Sequence, residues 1–81
     1  MTVSEIRDLI QTWREGNKEY FYRVDFDSES LRRTGILHIM VGPQPEKQKE
    51  ALSMCREIAQ HFREKTGHEV WLEAKLFYHA K

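Results

Sequence analysis

The run GILHIMVG, residues 35–42, constrains the fold of this chain more than any other stretch. It is β-branched and apolar, it is bounded by glycines, and it falls far short of the ~20 apolar residues that a membrane span needs. It reads as a strand. Two other runs carry the two-residue alternation of half-buried strands. In EYFYRVDF, Tyr20, Tyr22, Val24 and Phe26 fall on one side, with Glu19, Phe21, Arg23 and Asp25 on the other. In EVWLEAKLFYH, residues 69–79, Val70, Leu72, Ala74, Leu76 and Tyr78 oppose Trp71, Glu73, Lys75 and Phe77.

Helical spacing fills the remaining sequence. Thr2 and Glu5 have the separation of a capping box, and Val3, Ile6, Leu9, Ile10 and Trp13 recur behind them as one apolar stripe. Gly16 is expected to end that helix in a left-handed conformation. A second, longer helix is expected after GPQPEK, with Pro45 as its first residue and Gly67 as its cap. Its stripe is Ala51, Leu52, Cys55, Ile58, Ala59 and Phe62, with Met54 at the margin. Between the first two strands, DSESLRRT is expected to be a solvated hairpin loop with Leu31 exposed.

These elements give an α+β fold, an α-β-β-α-β two-layer sandwich in which two helices cover one face of a three-stranded sheet. The most apolar strand, GILHIMVG, is expected at the centre and parallel to the last strand, with an all-antiparallel sheet centred on the first strand as the alternative. Leu37, Ile39 and Val41 share a face with Tyr20, Tyr22, Val24 and Phe26 only if even-numbered residues oppose odd ones, which puts Phe26 opposite Gly35 or nearby. The 81 residues form one domain, residues 1–81, expected to bury only roughly 60% of the surface its unfolded form exposes.

Covering one face leaves the other open. On it the alternation places Phe21, Arg23, Ile36, His38, Met40, Trp71, Glu73, Lys75 and Phe77. A patch this rich in aromatic and apolar side chains marks a place of contact. The expected partner is a protein, either a second copy in a homodimer or a foreign chain, met by Phe21, Arg23, His38, Met40, Trp71, Lys75 and Phe77, with Trp71 as anchor. The alternative is single-stranded nucleic acid, RNA above all. Phe21, Trp71 or Phe77 would stack on bases, while Arg23, Lys75 or the pair Arg32 and Arg33 contacted phosphates. Thirteen basic residues against thirteen acidic ones supply no general field for such a polyanion.

Chemistry finds little footing. His61 and His68, with Glu64 and Glu69 nearby, match no zinc spacing, and His38 sits mid-strand without an evident pocket. Cys55 falls in an apolar helical stripe, where a packing role is expected, and GPQPEK has too few free amides to cradle a phosphate. The chain is therefore expected to be a non-enzymatic module with no cofactor and no metal. A lone cysteine and an amino terminus without the hydrophobic core of a signal peptide point to a cytoplasmic protein that does not engage membranes.

Overall fold

A computed structural model describes residues 2–75. Phe77, and with it Leu76 and Tyr78, lies outside the described residues. Among the described residues the fold is α+β, with four helices and a mixed three-stranded sheet. The order along the chain is α1 (Val3–Gly16), β1 (Phe21–Phe26), α2 (Ser28–Thr34), β2 (Ile36–Pro43), a 3-10 turn (Pro45–Lys47), α3 (Gln48–Ser53), α4 (Cys55–Thr66) and β3 (Glu69–Ala74).

The apolar run takes the central position. β2 pairs antiparallel with β1 and parallel with β3, so the sheet order is β1-β2-β3. Val24 pairs with Val41 and Phe26 with Ile39, so even-numbered residues do oppose odd ones. Phe26, however, lies opposite Ile39 and not Gly35, because the connection from β1 to β2 is no loop. Asp27 caps a helix there: its carboxylate accepts from the amides of Glu29 and Ser30 at 3.0 and 3.1 Å. Gly35 closes that helix in the left-handed region at φ 76, its amide donating to the Leu31 carbonyl. The turn folds Leu31 inward, and it is buried rather than exposed.

β1 departs from simple alternation in one place. Phe21 pairs with Pro43 and Arg23 with Gly42, which leaves Tyr22 as the extra residue of a bulge. The bulge shifts the alternation, so Phe21 turns into the core with 0% exposure and the Tyr22 ring lies over Gly42 instead. The Phe21 position on the open face is thereby corrected, as is the core position of Tyr22.

The core gathers Ile6 and Ile10 of α1, Phe21 and Val24 of β1, Leu37, Ile39 and Val41 of β2, Ala51 of α3, Ile58 and Phe62 of α4, and Val70 of β3. Trp13 closes one end of it, its ring 5.6 Å from that of Phe21 and 5.8 Å from that of Phe62. Each large side chain fully removed from water stabilises the fold by roughly 1.5–3 kcal/mol. The capping box forms as the spacing predicts, with Thr2 and Glu5 bonded reciprocally. Gly16, though, stays within α1, and Asn17 follows it as the cap without a positive φ.

The second helical region is broken. α3 ends at Ser53, whose hydroxyl donates back to the Glu50 carbonyl at 2.7 Å, a bond by which serine competes with the helical ladder. The chain turns at Met54 and restarts as α4, which ends at left-handed Gly67, φ 75. Leu52, expected in the stripe, stands 42% exposed.

Candidate functional site

The face of β2 opposite Leu37, Ile39 and Val41 carries Ile36, His38 and Met40, all half-buried. Strand pairing sets their neighbours, since residues paired across a sheet project from the same side. Ile36 is beside Glu69, His38 beside Trp71, and Met40 between Asp25 and Glu73. Trp71 is 66% exposed, the largest apolar surface that any described residue offers to solvent on this sheet. His38 braces it from below, the two rings 5.6 Å apart and tilted by 33°. The imidazole Nε2 also lies 3.2 Å from a carboxylate oxygen of Glu73. Trp71 is thus held against a side chain that is itself tethered.

Toward β1 the face becomes polar. The Arg23 guanidinium bonds the Asp25 carboxylate, and this bond, followed by the charge of Asp25, raises its already high pKa further. Both groups are solvated, so the pair fixes the direction of the arginine more than it stabilises the fold. Behind it the Tyr22 ring covers Gly42, and Tyr22, Arg23, Met40, Gly42 and Lys75 line a small recess. The bulge is anchored from the other side by Arg14, which donates to the Tyr22 carbonyl at 2.9 and 3.3 Å.

The site residues expected from the alternation therefore divide. Arg23, His38, Met40, Trp71 and Lys75 share one face, Phe21 belongs to the core, and Phe77 is outside the described residues. Tyr22 joins the face in place of Phe21. The available signal was Gly42 in an otherwise β-branched strand, since an interior strand glycine often marks a bulge or a close approach.

Cys55 is partly buried at the start of α4 with its thiol directed at the Ala51 carbonyl, 3.7 Å away, and burial pushes its pKa up. A thiol so placed is a poor nucleophile. His68 is spent on the Gly35 carbonyl at 3.2 Å, and His61 packs edge-on to Phe62. Among the described residues no group of three or more histidine, cysteine or acidic side chains could hold a metal ion, and no helix is long and apolar enough to cross a membrane. Comparison with protein-family models, curated proteins and solved structures returned no match to this chain.

Proposed function

We propose that this chain is a small protein-binding module that meets a second copy of itself or a protein partner through the Trp71-bearing face of its sheet. The reading takes the fold as two layers, helices over the side lined by Leu37, Ile39 and Val41, with the opposite side left for contact. The observation that carries it is Trp71, exposed at 66% yet braced by His38. A held, exposed tryptophan loses little side-chain freedom on binding, which suits an anchor. Met40 and Tyr22 extend the apolar ground, while Arg23, Asp25, Glu73 and Lys75 make the polar rim. A platform for unpaired bases needs several exposed rings and cations free to reach phosphate. Phe21 is buried and Arg23 is engaged by Asp25, so protein contact fits these residues better. The single cysteine suits a reducing compartment, and the cytoplasm is the proposed setting.

The test is light scattering over a range of concentrations on the wild type and on Trp71→Asp. Association that Trp71→Asp abolishes while helical content is retained supports the reading. Association untouched by that change overturns it, as does salt-sensitive binding of a single-stranded oligonucleotide pool by a chain that stays monomeric.

A further inference from the structure

Among the described residues the sheet has two unpaired edges, and they differ. The β1 edge is obstructed by the bulge at Tyr22 and by the Arg14 side chain on the Tyr22 carbonyl. Bulges and charged side chains of this sort are how proteins blunt an edge. The β3 edge has no such device among the described residues. The Lys75 amide donates to the Val41 carbonyl at 2.8 Å, which turns the backbone groups of odd-numbered residues toward β2. By strand alternation those of Val70, Leu72 and Ala74 face outward, where no described strand pairs with them.

We infer that β3 pairs antiparallel with β3 of a second copy, about a two-fold axis at Leu72. The side chains favour that register over those one residue to either side. An axis at Trp71 opposes Glu69 to Glu73 of the other copy, and an axis at Glu73 opposes that residue to itself, both like-charge contacts. An axis at Leu72 opposes Glu69 to Lys75 twice over. Neither residue forms an ion pair among the described residues, so both charges are available. In this register Val70, Leu72 and Ala74 each exchange both backbone bonds with the other copy. Trp71 falls diagonal to its own counterpart, roughly 7–8 Å away and within reach of an indole. The sheets of the two copies become one, with the paired tryptophans at the centre of its open face. This pairing does not depend on face-to-face docking, because it uses the strand edge.

Charge reversal tests it by sedimentation equilibrium. Glu69→Lys alone and Lys75→Glu alone place like charges together at both ends of the pairing, and each is expected to weaken the dimer about tenfold. An equimolar mixture of the two variants restores opposite charges at both ends, and a heterodimer of wild-type strength is expected. Circular dichroism of each variant, expected to match the wild type, separates loss of pairing from loss of fold. A wild type that stays monomeric at millimolar concentration overturns the inference. So do single variants that dimerise as the wild type does; if Trp71→Asp still breaks that dimer, the face reading stands and only the edge pairing falls.

Discussion

The Tyr22 ring lies where the side chain of residue 42 would be: a methyl group on Gly42 would come 2.8 Å from Tyr22 Cζ. Bulge and glycine are thus linked, because the ring of the residue that the bulge adds to β1 lies over the place of a side chain at position 42. Gly42→Ala is expected to cost about 1 kcal/mol, the low end for overpacking, since the atoms that must move are the tip of the ring. In a Tyr22→Ala background the same substitution should cost nothing or stabilise slightly, because alanine then only restricts the unfolded chain. Denaturant unfolding of the four chains in this cycle measures the coupling, and equal costs in both backgrounds would exclude the contact.

Asp27 holds the start of α2 and, through its amide bonded to the His38 carbonyl, the end of the β1–β2 pairing. Asp27→Ala is expected to destabilise by about 1 kcal/mol, and Asp27→Asn, which keeps the capping oxygen, by much less. Thermal melts of the two variants distinguish a cap from a loop residue.

Acid should loosen the start of α1. The backbone amide of Thr2 donates to the Glu5 carboxylate at 2.7 Å and, with a lesser contribution from the Thr2 hydroxyl, lowers its pKa from the usual 4.5. A lowered folded-state value means the unfolded chain takes up this proton more readily. The stabilisation is therefore complete above about pH 5 and is lost as pH falls through the lowered folded value. Melting temperatures taken from pH 6 down to pH 3 should fall less steeply for Glu5→Gln than for the wild type.

Phe21 and Trp71 should respond oppositely to truncation although both sit on strands. Phe21→Ala removes a fully buried ring and is expected to cost about 3–5 kcal/mol, enough to unfold much of a small domain. Trp71→Ala removes an exposed one and should stay within about 0.5 kcal/mol at concentrations where the chain is monomeric. Chemical unfolding of dilute samples compares them directly.

Why these two were hard to tell apart in the sequence is a matter of parity. Alternation along EYFYRVDF is sound from Arg23 to Phe26, and it placed Val24 and Arg23 on their observed faces. One inserted residue turns Phe21, the strand residue before it, to the other face, while Tyr20, outside the strand, still packs against the core; the inserted residue, Tyr22, is itself aromatic, so composition gave no warning. β2 and β3 contain no such irregularity among their described residues, and Arg23, His38, Met40, Trp71 and Lys75 came together as alternation requires. The helix at DSESLRRT was legible by other means: an aspartate at its cap, Glu29 in its first turn, Arg32 and Arg33 in its last, and Gly35 after it. Its polarity suggested a loop because a single buried residue, Leu31, is too few to show a helical period. The break at Met54 was less accessible, since Ala51, Ile58 and Phe62 keep the helical spacing across it.

The most direct test of the proposed binding face is a map of amide and indole chemical shifts as the protein is concentrated from micromolar to millimolar. Contact through this face predicts shifts at Ile36, His38, Met40 and the Trp71 indole, with Trp13 and the exposed sides of α1 and α4 unmoved. Shifts confined to the helices, or a spectrum unchanged by concentration that instead responds to single-stranded oligonucleotide at Trp71, would contradict it.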